Sequence, residues 1–161
     1  MPYNVLFLCT GNWSRSIMAE AIFNHKGKPH FVAYSAGSHP KGTIHPGALK
    51  QLALAHLSTT GLRSKSWDEF AAPNAPKMDF VFTLCDEAAK QTCPIWPGQP
   101  MTAHWGLADP GNIGRTLEET ERAFRAAFMT LDRRISLFLS LPLASLEKLA
   151  IQREINRIGK Q

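Results

Sequence analysis

The chain has 161 residues, 44% of them hydrophobic and 19% charged, which is the size and make-up of one folded domain and excludes a disordered or fibrous chain. The net charge of +5 admits an anionic partner. Its basic residues are scattered, apart from Lys148, Arg153, Arg157 and Lys160, which argues against nucleic-acid binding.

In chain order, residues 4–8 (Asn-Val-Leu-Phe-Leu) form an apolar run of strand length that stops at the turn Thr10-Gly11-Asn12. Residues 14–25 carry Ile17, Ala21 and Ile22 at helical spacing, and 30–34 predict a second strand ending before Ser35-Ala36-Gly37. A second helix is predicted over 46–56, with Leu49, Leu52 and Ala53 as its stripe, followed by a helical turn at 66–70. Residues 78–84, rich in β-branched and aromatic side chains, predict a third strand, and 102–105 a weaker fourth. Residues 116–139 predict the longest helix. Thr116 and Glu119 form a capping box, and Phe124, Phe128, Leu131, Ile135 and Phe138 form the buried face. Pro142 ends it, and 145–158 predict a last helix through Ile151, Ile155 and Ile158.

Strands alternating with helices predict one doubly wound, three-layer α/β domain on a four-stranded parallel sheet. Ligands of such sheets bind beyond the carboxyl ends of the strands. Cys9, Ser35, Cys85 and Asp109 each follow one of the four predicted strands, so they should meet along one edge.

The segment Cys9-Thr10-Gly11-Asn12-Trp13-Ser14-Arg15-Ser16 joins a strand to a helix. A loop of that length can wrap a tetrahedral oxyanion with inward N–H groups from Thr10, Gly11, Asn12, Trp13, Ser14 and Arg15 and a helix N-terminus behind them. Gly11 and Asn12 tolerate the left-handed backbone this needs, and Arg15 offers a planar fork for two oxygens. The same field favours a thiolate at Cys9, with a pKa of about 3.5–7.5 against about 8.5 for an ordinary thiol. Ser16 is placed to donate a hydroxyl hydrogen bond to it. Trp13 can wall the pocket or simply pack.

Val5-Leu6-Phe7-Leu8-Cys9-Thr10-Gly11-Asn12, then Ser14-Arg15-Ser16-Ile17-Met18-Ala19-Glu20-Ala21, and Tyr34-Ser35-Ala36-Gly37 together resemble the low-molecular-weight protein tyrosine phosphatases and the thioredoxin-coupled arsenate reductases of the same fold. The resemblance implies a flavodoxin-like topology over 1–141, with 142–161 as a helical extension. It implies that Cys9 is the nucleophile and that Asp109, in Ala108-Asp109-Pro110, is the acid for the departing oxygen. Thr83 to Pro94 and Ala103 to Gly106 are similar to the redox segment of the reductases. The resemblance therefore implies a Cys9–Cys85–Cys93 relay that reduces arsenate and is reset by thioredoxin or a similar dithiol protein. Gly111 and Asn112 stand where the phosphatases carry aromatic residues. Ser14 replaces a second loop cysteine of some relatives, and the eight-residue step from Cys85 to Cys93 is one longer than in those relatives.

Three other readings stay open at this level. The chain can be a phosphomonoester-hydrolysing phosphatase, a non-catalytic anion-binding adaptor, or a zinc protein using Cys85, Cys93 and His104. No tightly bound cofactor is expected. Some relatives hold a potassium ion near the loop, and Asn12, Glu20, Ser35 and Asp68 match that site. The six histidines show no ligand spacing, and His39 and His45 are expected to face solvent. The start of the chain has no basic, apolar and small-residue leader, and no apolar run reaches the roughly 18 residues of a spanning helix. With only three cysteines besides, a cytoplasmic protein without a membrane partner is expected.

Overall fold

A computed structural model describes residues 2–86 and 96–161. Its sheet has four strands, Tyr3–Leu8 (β1), Phe31–Ala36 (β2), Phe80–Thr83 (β3) and Met101–His104 (β4), in the order β2-β1-β3-β4. Every pairing is parallel, with β1 central from Val5 opposite Ala33 and Phe80 to Leu8 opposite Ala36 and Thr83. The helices are Arg15–Lys26 (α1), Pro46–Leu54 (α2), Leu117–Leu139 (α3) and Lys148–Ile158 (α4). Strand β2 runs two residues beyond the expected 30–34, because Ser35 and Ala36 keep pairing with β1.

Strand β1 is apolar and buried from Val5 to Leu8 because both of its faces are covered there. Alternate side chains go opposite ways. Val5 and Phe7 enter the larger cluster with Phe80, Phe82 and the helices, whereas Leu6 and Leu8 join Phe70, Met78, Val81 and Trp96. Phe7, Phe82 and Trp105 stack within the larger cluster, Phe82 on Trp105 at 3.9 Å between centroids. Each such side chain, fully buried, contributes about 1.5–3 kcal/mol.

Helix α3 lays Phe124, Leu131, Ile135 and Phe138 on this core, with Phe128 only half-buried at the edge. Thr116 caps it as expected, its Oγ1 accepting from the Glu119 N–H at 3.1 Å. Glu119, however, reaches one residue further back than a capping box requires and accepts from Arg115 N–H at 2.7 Å. Helix α4 begins at Lys148 rather than at 145, because Leu143–Ser145 first forms a separate 3₁₀ turn. Ile151, Ile155 and Ile158 join the main core. Buried Arg134 on α3 donates to Trp105 O, Gly106 O and Gln161 O, tying the chain end to the loop after β4. Among the described residues no helix is long and apolar enough to cross a membrane.

Candidate active site

The carboxyl ends of the strands form an open cleft of about 870 Å³ lined by Thr10, Gly11, Trp13, Arg15, Cys85 and Asp109 among others. Residues 10–15, Cys85 and Asp109 arrive on three different connections, and the parallel sheet brings these to one edge. Cys93 lies outside the described residues.

The Cys9 loop turns its carbonyls outward onto surrounding donors. Thr10 O accepts from His39 N–H at 2.9 Å, Gly11 O from Lys41 N–H at 3.0 Å and Trp13 O from His45 N–H at 2.8 Å. With the carbonyls held outside, the peptide N–H groups face the interior, the arrangement expected for an anion nest. Asn12 is fully buried at φ 44°, the left-handed conformation the sequence predicts there. Its Nδ2 donates to Ser16 Oγ at 2.7 Å, and its Oδ1 accepts from Lys65 N–H at 2.9 Å. Gly37 backs the loop so closely that a Cβ there would lie 2.5 Å from Thr10 O and 2.6 Å from Cys9 O. Ser14, the N-cap of α1, makes no side-chain capping bond, and the first turn holds no acidic residue. The positive end of α1 is thus open to an anion.

Arg15 holds the far wall. Its Nη1 donates to Leu107 O at 2.9 Å, and its Nη2 stands 3.7 Å from Asp109 Oδ2. Its Nε is buried and, among the described residues, has no hydrogen-bond partner. Asp109 is fixed by its own turn, accepting from Gly111 N–H at 2.9 Å and Asn112 Nδ2 at 3.2 Å. Trp13 is clamped between Lys41, whose Nζ lies 4.0 Å from its ring, and His45, edge-on at 4.7 Å. It lines the cleft, so the pocket wall and the packing role coincide.

The two described cysteines meet. Cys9 and Cys85 are buried against each other, and Thr10 contacts Cys85 Sγ at 3.4 Å through both its N–H and its Oγ1. This contact acts against the lowered pKa that the loop by itself implies for Cys9. Hydrogen bonding to Cys85 and then burial push the Cys9 thiol above its usual range, against the pull of Arg15. The loop alone predicts a lowered value, and the sulfur from β3 reverses it. The Ser16 hydroxyl accepts from Asn12 and so helps hold the loop's shape, while its own O–H remains a donor.

His45 is half-buried rather than solvent-facing. It packs on Trp13 and Phe124, and its Nδ1 accepts from Gly47 N–H at 2.9 Å to cap α2. Burial lowers its pKa, Asp109 opposes this, and Lys41 adds to it. His39 is exposed at the cleft rim. His104 spends one ring nitrogen on Thr83 Oγ1 and the other on Asp86 Oδ1, at 2.8 and 3.0 Å. That leaves neither for zinc in this arrangement.

Of the four residues matched to a potassium site, Asn12, Glu20 and Ser35 lie together behind the loop, whereas Asp68 is exposed on the turn Trp67–Phe70. Ser35 Oγ donates to Glu20 Oε1 at 2.5 Å. Beside them stands Lys65, which the sequence pattern did not single out. It lies in the polar run Arg63-Ser64-Lys65-Ser66, where a lysine ordinarily faces water. Leu107, whose carbonyl anchors Arg15, carried no sequence signal either.

The model for low molecular weight phosphotyrosine protein phosphatases matches residues 4–152. The arsenate reductase of Shouchella clausii is 34% identical over 134 residues, 83% of this chain and 93% of its own length. The solved arsenate reductase of Archaeoglobus fulgidus is 25% identical with a TM-score of 0.66, covering 85% of this chain and 99% of its own. The low molecular weight protein tyrosine phosphatase of T. tengcongensis, also 25% identical, gives a TM-score of 0.63 over 83% of this chain and 98% of its own. By loop, sheet order and sequence, the chain belongs to the low molecular weight phosphotyrosine protein phosphatase family.

Proposed function

We propose that this protein is an arsenate reductase that uses Cys9 as nucleophile and Cys85 and Cys93 as the redox pair. The observation that carries the reading is the contact between Cys9 and Cys85 inside the anion loop. Hydrolysis of a cysteinyl-phosphate needs only water beside Cys9, whereas reduction needs a second sulfur within reach. The arsenate reductase relative covering most of the chain supports the same choice.

In the first step the Cys9 thiol passes its proton to a bound arsenate oxygen as its sulfur attacks arsenic, an S–As bond forms, and Asp109 gives the second proton to the oxygen that leaves as water. Arg15 and the inward N–H groups of residues 10–15 hold the remaining oxygens. Cys85 then attacks the Cys9 sulfur. The S–As electron pair departs with arsenic, reducing As(V) to As(III), and two thiol electrons are lost as a Cys9–Cys85 disulfide forms. Cys93 attacks Cys85, restores Cys9 and leaves a Cys85–Cys93 disulfide. A dithiol protein such as thioredoxin reduces that disulfide, which fits a protein working in the reducing cytoplasm.

Single-turnover arsenite release without external thiol tests the order. Cys85→Ser should release none, and Cys93→Ser about one equivalent before stalling as a Cys9–Cys85 disulfide. A variant lacking both Cys85 and Cys93 that still reduced arsenate like wild type with thioredoxin would end the relay reading. Phosphomonoester hydrolysis is the second reading, favoured by the Trp13 wall and by a cleft with far more room than one tetrahedral anion fills.

A further inference from the structure

We propose that Lys65 is a resident cation of the anion loop, a positioning residue whose ammonium takes the place of an exchangeable monovalent ion. Three oxygens converge on its Nζ: Arg63 O at 2.8 Å, Ser35 Oγ at 3.4 Å and Glu20 Oε1 at 3.6 Å. They come from the 63–67 segment, β2 and α1, and the Lys65 side chain is only 6% exposed. The potassium site suggested by Asn12, Glu20, Ser35 and Asp68 does not fit this arrangement. A positive charge already occupies the point where Glu20 and Ser35 meet, and the fourth residue, Asp68, is exposed on the neighbouring turn. A second cation there would face the ammonium with one carboxylate to share.

The ammonium matters because of what the main chain of the same residue holds. Lys65 N–H donates to Asn12 Oδ1 at 2.9 Å, and Lys65 O accepts from Gly37 N–H at 3.0 Å. These are the left-handed residue of the loop and the glycine on which the loop rests. Anchoring the side chain from three elements therefore fixes the loop at both points. Burial pulls the ammonium below its usual pKa while Glu20 supports it, as for an ion held inside the fold. The inference rests on the anion-loop reading, but not on arsenate being the substrate.

Lys65→Ala keeps the main-chain grip, removes the ammonium, and leaves the three oxygens with room for an ion. Inorganic phosphate binding is measured by calorimetry in sodium, potassium and ammonium chloride at equal ionic strength. Wild type should bind alike in all three. Lys65→Ala should bind about tenfold more weakly in sodium, the loss of one charged hydrogen bond, and should recover most of this in potassium or ammonium. Lys65→Met, which fills the space, should stay weak in every salt. A wild type tightened by potassium, a Lys65→Ala unaffected in sodium, or a loss that no cation restores would each overturn the proposal. A Lys65→Ala chain that folds only in potassium or ammonium supports it, and one that folds in none of the salts overturns it. Neither arsenate nor a dithiol is used, so failure of the cysteine relay leaves this test intact. A wild type that bound no phosphate would instead sink the loop reading and this proposal with it.

Discussion

Replacing Arg15 by lysine keeps the charge and removes the geometry. Two donors of Arg15 are available to an oxyanion: Nε, buried without a partner among the described residues, and Nη2, 3.7 Å from Asp109. Nη1 is already spent on Leu107 O at 2.9 Å. A lysine ammonium is a point donor on a flexible stem, so it cannot grip two anion oxygens in plane and hold Leu107 O as well. At least one charge-assisted bond is lost, worth about 1.5–3 kcal/mol, and the 12% exposure of the side chain leaves little water to replace it. Phosphate should therefore bind about 10–150-fold more weakly, and kcat/KM should fall by at least as much. Calorimetric phosphate titration of wild type and Arg15→Lys, with circular dichroism to confirm the fold, reads the effect directly. A folded Arg15→Lys that binds phosphate as wild type does would show that the N–H groups alone hold the anion. The fork would then be irrelevant.

Gly37→Ala should distort the loop, since the added Cβ meets two backbone oxygens at 2.5 and 2.6 Å that cannot swing aside as a side chain would. A melting temperature lowered by several degrees together with weakened phosphate binding is expected, and wild-type behaviour in both would contradict the rigid-backing argument. Asp109→Asn should slow hydrolysis of aryl phosphates with poor leaving groups by about 10²–10⁴-fold and those with good leaving groups less, as stopped-flow rates would show. An equal slowing of both would mean that Asp109 is not the acid. For His45 the folded pKa is depressed, so the folded chain binds fewer protons than the unfolded one. Its contribution to stability is complete above about pH 6.5 and is lost as pH falls through the folded value. His45→Asn keeps an oxygen to cap α2 and should flatten the fall in melting temperature between about pH 7.5 and 5.5, roughly one unit either side of the ordinary value. An unchanged slope would remove His45 from the acid sensitivity.

The sequence by itself determined the parallel α/β sheet, the place of the anion loop and the convergence of Cys9, Cys85 and Asp109, whereas Ser35, expected beside them, lies behind the loop with Glu20 and Lys65. Those features are local or follow from alternation. An apolar run buried on both faces reads as β1 wherever it occurs, and a strand, a Gly-Asn turn and a helix in succession leave the loop one place to go. Trp13 and Ser16 were visible as loop residues, but their contacts were not: the ring is held by Lys41 and His45, and the hydroxyl by Asn12. Tertiary structure alone decided the surroundings of Cys9 and the role of Lys65. The Cys9 thiol is pushed up by a sulfur 76 residues away along the chain, and the direction of its shift depends on how closely β1 and β3 bring the two together. Lys65 looks like a solvated residue in a polar run until β2 and α1 place Ser35 and Glu20 around its ammonium. Charge and hydrogen-bond energies depend on distance and burial in three dimensions, neither of which a linear pattern records.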